Sequence, residues 1–105
     1  MAVKEIANVQ VDVDDEGFMT DPAQWTKDIA NTLAKEEGID ELTDGHWKVV
    51  EFMRKDFQDK GVPPTLRRIN KVGGVPTKEI YALFPGGPAK KAAKIAGLGK
   101  PKGCV

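Results

Sequence analysis

The sequence predicts a mainly α fold: a compact helical domain with a helix-turn-helix-like pair, a small N-terminal β-hairpin and a mobile C-terminal arm. Three observations carry this reading. Apolar residues recur every three or four positions in successive stretches from Trp25 to Phe84, the period of helices with one buried face. Glycine or proline separates the stretches at Gly38, Gly61, Pro63-Pro64, Gly73-Gly74 and Pro85 to Pro88, as punctuation between short helices requires. A single segment near the start alternates with period two instead.

That segment is Val9, Val11 and Val13, interleaved with Gln10, Asp12 and Asp14, the pattern of a half-buried strand. Asp15-Glu16-Gly17 reads as a turn into Phe18 and Met19, which closes a hairpin that needs helices to cover it. Asp21-Pro22 starts the first helix, with aspartate as N-cap and proline in the first helical position. Trp25, Ile29 and Leu33 define its apolar face, and Gly38 stops it. Thr43 and Asp44 open a second helix, the acid lying where the helix dipole favours it. Its face of Trp47, Val50, Met53 and Phe57 is the candidate centre of the core, and Gly61 ends it. His46, the only histidine, lies in the first turn. With no second histidine or nearby cysteine it reads as a surface or capping residue rather than a ligand, and no metal site is expected.

Pro63-Pro64 precedes a short helix with Leu66, Ile69 and Val72 inward. Thr77 caps the next, with Ile80, Leu83 and Phe84 inward. Such a pair resembles a helix-turn-helix in which Arg67, Arg68 and Lys71 would contact phosphates. No second basic cluster or recognition face accompanies it, so direct DNA binding is not expected. Pro88 begins the last helix, whose small face of Ala89, Ala92, Ala93, Ile95 and Ala96 can lie close against the body. Gly97 ends it. Residues 1–96 thus read as one domain and residues 97–105 as a flexible arm.

The 105 residues carry 16 basic and 16 acidic side chains, which argues against a general nucleic-acid binder. The balance is uneven along the chain. From Pro85 to Val105 there is no acid, but there are five lysines, at positions 90, 91, 94, 100 and 102, an end suited to docking on an acidic or anionic surface. No apolar run approaches the roughly 20 residues of a membrane helix, the first residues lack a secretory apolar stretch, and one cysteine cannot form an internal disulfide. The expected compartment is the cytoplasm.

That cysteine is the most informative residue. Cys104 closes the run Gly97-Leu98-Gly99-Lys100-Pro101-Lys102-Gly103-Cys104-Val105, where a thiol has little to pack against and reads as presented to a partner. No phosphate loop and no Ser/His/Asp arrangement is found, so the catalytic inventory is one thiol. The thiolate is the nucleophile. Lys100 and Lys102 favour the anion and the Val105 carboxylate opposes it, both through screening solvent, so activation is expected from a partner's pocket.

The stretch Leu83-Phe84-Pro85-Gly86-Gly87-Pro88-Ala89-Lys90, continuing through Lys94-Ile95-Ala96-Gly97-Leu98 to Lys100-Pro101 and Gly103-Cys104-Val105, strongly resembles the DsrC/TusE family. These are the gamma protein of dissimilatory sulfite reductase and its relative in the sulfur relay that thiolates tRNA. The likeness extends to Asp14 to Phe18, to Leu42-Thr43 with His46-Trp47-Lys48, and to Pro64 with Arg67 and Lys71. It implies a helical fold with a small hairpin and a penultimate cysteine that carries sulfur as a persulfide. It implies, as partners, a sulfur-donor relay complex and an acceptor enzyme, or a sulfite reductase. No cofactor is expected on the chain itself, since sirohaem would belong to the reductase. Arg67, Lys71 and Lys90 are candidates to hold the arm's carboxylate or bind the partner; Lys100 and Gly103 would shape the arm and its close approach.

The chain departs from the family pattern in places. The second cysteine of DsrC proteins falls on Ala93, which rules out an internal disulfide or trisulfide cycle and makes the cysteine pattern TusE-like. The short loop from Gly73 to Pro76 and the Gly-Cys-Val ending are DsrC-like. Gly99 replaces the usual proline, which loosens the arm, and Lys102 stands where a small polar residue is common. A sulfur-relay carrier is the first reading. A reductase gamma protein with Ala93 in place of the second cysteine, a helix-turn-helix regulator and a plain interaction module stay open beside it.

Overall fold

The computed structural model describes residues 2–99. The chain opens with β1 (Ala2–Ile6) and β2 (Val9–Val13), paired antiparallel in the register Ala2↔Val13 to Ile6↔Val9. Ala7 and Asn8 join them with φ of 54° and 65°, the left-handed conformation that a two-residue hairpin turn requires. Period-two alternation located β2, but its main partner precedes it. The turn at Asp14 to Gly17 does form, with the Asp14 carboxylate accepting the N–H groups of Glu16 and Phe18, and it returns only an isolated bridge from Met19 to Val13. Val11 and Val13 are buried, whereas Val9, at the hairpin's end, is 46% exposed.

The first helix begins later than its Asp-Pro signal. Asp21 caps a single 3-10 turn, Pro22–Gln24, and Trp25 and Thr26 are extended before α1 (Lys27–Glu36), which Thr26 caps. Trp25 therefore does not continue the face made by Ile29 and Leu33. Two capping side chains, Asp21 accepting the Ala23 N–H and Thr26 accepting the Ile29 N–H, divide what periodicity read as one helix. Gln24 fixes this turn to the hairpin by exchanging hydrogen bonds with the Asp12 backbone and carboxylate.

Helix α2 (Asp44–Lys60) runs through the core, with Val49, Val50 and Met53 fully buried. His46 is buried and caps both its own helix and another. Its Nδ1 accepts from the Thr43 N–H at 3.0 Å, and its Nε2 lies 2.9 Å from the Leu83 carbonyl. A carbonyl only accepts, so the ring proton sits on Nε2. The capping expectation holds, and the surface one does not.

Two short helices come next, α3 (Leu66–Lys71) and α4 (Thr77–Leu83). Ile69 and Ile80 point inward. Val72 lies just past the end of α3 and is 60% exposed, contrary to expectation. Thr77 is the first helical residue rather than the cap; the Pro76 carbonyl accepts the first helical N–H bond, from Ile80. Helix α5 (Pro88–Ile95) then packs against α1, α2 and α4. Its alanines at 89, 92, 93 and 96 are buried, which brings its backbone close to its neighbours. No helix among the described residues is long and apolar enough to cross a membrane.

Candidate functional site

The thiol-bearing segment leaves the body from the C-terminal end of α5, and this end is held with unusual completeness. Gly97 takes φ of +73°, donates to the Lys94 carbonyl at 3.1 Å, and is followed by Leu98, which donates to the Ala93 carbonyl at 2.9 Å. These are the two bonds of a Schellman motif, and buried Leu98 makes the apolar contact that accompanies it. The packed body therefore extends through Leu98, beyond the residue 96 boundary drawn from the sequence, because this side chain joins the core.

Two carbonyls remain, and two side chains from distant parts of the chain take them. Trp25 Nε1 donates to the Ile95 carbonyl at 2.8 Å. Arg54, from the middle of α2, donates through Nη1 to the Ala96 carbonyl at 2.8 Å and through Nη2 to the Pro22 carbonyl at 3.1 Å. The guanidinium lies 4.2 Å from the centre of the Trp25 ring, within cation–π range. Loss of solvation on burial lowers the pKa of this guanidinium. A Cβ on Gly97 would sit 2.5 Å from Trp25 Cδ1, so only glycine allows the ring this close. On the outer side a cleft of about 410 Å³ opens, lined by Trp25, Lys27, Glu51, Arg54, Lys55 and Gln58.

The lysines of α5 divide by role. Lys91 donates to the Glu37 carbonyl at 3.3 Å, and Lys94 pairs with the Glu37 carboxylate at 3.8 Å while lying 5.6 Å from the Phe18 ring. Both staple α5 to the end of α1, so they are not part of a free docking surface. Lys90, half-buried in the first turn, makes no side-chain hydrogen bond or ion pair among the described residues.

Arg67 and Lys71 are exposed on α3, one turn apart and without ion-pair partners among the described residues. Helix α3 packs on α2 and α4. Arg68, the third cation of the helix-turn-helix reading, is occupied. It makes two hydrogen bonds to the buried Asp56 carboxylate, and these, with the attraction of the Asp56 charge, raise its pKa. Cys104, Lys100 and Gly103 lie outside the described residues. Among the described residues, no cluster of three or more histidine, cysteine or acidic side chains could hold a metal.

Sequence reasoning did not single out Arg54, and it placed Trp25 on the wrong element. An arginine on the polar side of a long helix carries no local signal, because its partners lie 32 and 42 positions away.

A family model described as DsrC like protein matches residues 5–105. The gamma subunit of dissimilatory-type sulfite reductase from Nitratidesulfovibrio vulgaris is 37% identical over 94 residues, covering 90% of each chain. The sulfurtransferase TusE of Yersinia pseudotuberculosis is 39% identical over 102 residues, covering 90% of this chain and 94% of its own. A crystal structure of dissimilatory sulfite reductase I (DsrI) aligns with a TM-score of 0.86 at 38% identity, over 99% of this chain and 100% of that one. A match along nearly the whole chain, and relatives this similar over most of their own length, establish that the chain belongs to the DsrC-like family.

Proposed function

We propose that this protein is a sulfur carrier that holds sulfane sulfur as a persulfide on Cys104 and hands it to a partner enzyme. The observation that carries the reading is where the thiol falls. It is the only one in the sequence, and it stands in the Gly/Pro/Lys-rich run Gly97 to Val105, which offers little for a thiol to pack against. A thiol serving the fold is expected within an apolar helix or strand pattern, and this one has none around it in the sequence.

In the loading step the Cys104 thiolate attacks the outer sulfur of a donor persulfide. A new S–S bond forms to Cys104, the donor's S–S bond breaks, and the donor leaves as a thiolate. In delivery an acceptor nucleophile attacks the outer sulfur of the Cys104 persulfide and releases the Cys104 thiolate. Each step exchanges one bond to the transferred sulfur for another, so loading and delivery to an acceptor thiolate need no external oxidant. Any redox cofactor, sirohaem included, would belong to the partner. The cytoplasm supplies the reducing setting in which the thiol persists. Arg67, Lys71 and Lys90 are the candidates to meet a partner or the terminal carboxylate, with Lys100 and Gly103 shaping the approach of the thiol.

A second reading, the gamma component of a dissimilatory sulfite reductase, is favoured by the Nitratidesulfovibrio relative. Both readings share the chemistry of Cys104 and differ in the partner. Ala93 is fully buried and carries no thiol, so the persulfide has no internal cysteine to attack it and persists until an acceptor arrives.

Intact-protein mass spectrometry after incubation with a sulfane-sulfur donor tests the proposal. A gain of one sulfur atom, reversed by reductant and abolished in Cys104→Ala, is expected. No gain, even with a sulfite reductase or relay complex present, would leave a binding protein instead.

A further inference from the structure

Five consecutive carbonyls, from Ala92 to Ala96, are engaged at the end of α5. The first three accept backbone N–H groups within the helix and its Schellman turn. The last two accept Trp25 Nε1 and Arg54 Nη1, donors that the local motif does not require. Helix α2, with seventeen residues, ends without comparable help: the Gly61 N–H closes on the Phe57 carbonyl, and no side chain among the described residues caps its last carbonyls. Single side-chain donors also reach the ends of α1 and α4, from Lys91 to Glu37 and from His46 to Leu83, but among the described residues only α5 has two on consecutive carbonyls.

We propose that Trp25 and Arg54 are positioning residues for the thiol, a role that rests on the carrier reading. Together they fix the place and direction in which the chain leaves the body at Leu98 and Gly99. Arg54 holds both sides of the joint, because Nη1 bonds the departing backbone while Nη2 bonds Pro22 in the segment that carries Trp25. Its cation–π contact with the ring locks the two donors to each other. The ring in turn occupies the space a side chain at position 97 would need, since a Cβ there would come within 2.5 Å of Trp25 Cδ1.

Geometry makes the exit direction matter. Cys104 lies five positions beyond Gly99, a reach of at most about 18 Å. A change of roughly 30° at the base moves the centre of the volume the thiol can sample, by at most about 9 Å for a fully stretched segment. Transfer within a partner's pocket needs the reacting sulfurs within about 3.5 Å. Small donors in solution reach the thiol from any side and do not depend on the exit angle.

The test exploits Cys104 as the only native thiol. A nitroxide on Cys104 and a second on an introduced cysteine, Lys48→Cys on the exposed side of α2, report their distance distribution by pulsed electron resonance. Arg54→Gln and Trp25→Phe are expected to shift or broaden that distribution. The same substitutions, in the chain without the second label, are expected to leave persulfidation by a small sulfane donor within twofold. They should lower kcat/KM for transfer to a protein acceptor about tenfold, mainly through kcat.

Unchanged distance distributions in folded variants overturn the proposal, as do equal losses with small donors and with protein acceptors. Trp25→Phe keeps an aromatic ring and removes the N–H, so it decides the question should Arg54→Gln fail to fold. Shifted distances in a chain that never takes up sulfur would support the positioning while overturning the carrier reading.

Discussion

Helices α1 and α5 end in the same local motif and have been given different surroundings. Both stop at a left-handed glycine, Gly38 at φ +86° and Gly97 at φ +73°. Both place a buried apolar residue next, Ile39 and Leu98, and both close the same pair of backbone bonds, Ile39 to Ala34 and Leu98 to Ala93 among them. Around Gly38 there is open space, and the carbonyl before it is held by the flexible amine of Lys91. Around Gly97 there is a tryptophan ring and an arginine fork. The motif alone suffices to end a helix. The additional contacts bear on the next segment, a return loop in one case and the thiol-bearing stretch in the other.

Substitutions at matched positions sharpen or break this contrast. Gly97→Ala combines a left-handed alanine with a direct clash on Trp25, for an expected loss of about 4 kcal/mol. Gly38→Ala meets only the backbone penalty, about 1 kcal/mol. Equal melting temperatures for the two variants would show that the Trp25 contact yields easily and that the two ends are alike. Next in size, Leu98→Ala is expected to cost about 3 kcal/mol by emptying a fully buried site, read from urea midpoints at unchanged slope. A loss under about 1 kcal/mol would show that Leu98 is not anchored. The smallest contrast compares the two cations. Arg54→Met, which removes two bonds from a charged donor, is expected to cost about 2 kcal/mol, and Lys91→Met less than about 1 kcal/mol. Reversal of that order in chemical denaturation would move the weight of the fold from the α5 end to the α1 end.

Much of this architecture was legible because it obeys local rules. The valine alternation of β2, the Thr43 cap and Gly61 stop of α2, and the alanine face of α5 all state their structure within a few residues. The errors fell where local signals competed or were missing. β1 carries Lys4 and Glu5 without apolar alternation, and its turn uses Ala7 and Asn8 rather than glycine, so the pairing that makes it a strand left no mark. Asp21-Pro22 is a true capping signal, but for one 3-10 turn, since Trp25 is drawn out to reach α5. Of the candidate site, the lone thiol was plain from composition alone. Arg54, which holds the base from which it departs, becomes visible only when residues far apart in sequence are brought together. Arg68 was legible as a cation and not as the partner of Asp56, for the same reason.

The bond from Trp25 to Ile95 joins residues 70 positions apart, and this gives the clamp a place in time as well as space. During synthesis Trp25 and Arg54 are made long before the carbonyls they hold. Closing so large a loop carries an entropic cost that only a formed body can offset. The clamp therefore depends on a body that already brings α2 and α5 together. A chain with a misassembled body lacks the closed clamp, so the backbone at Ile95 and Ala96 is held by Trp25 and Arg54 only in the assembled fold.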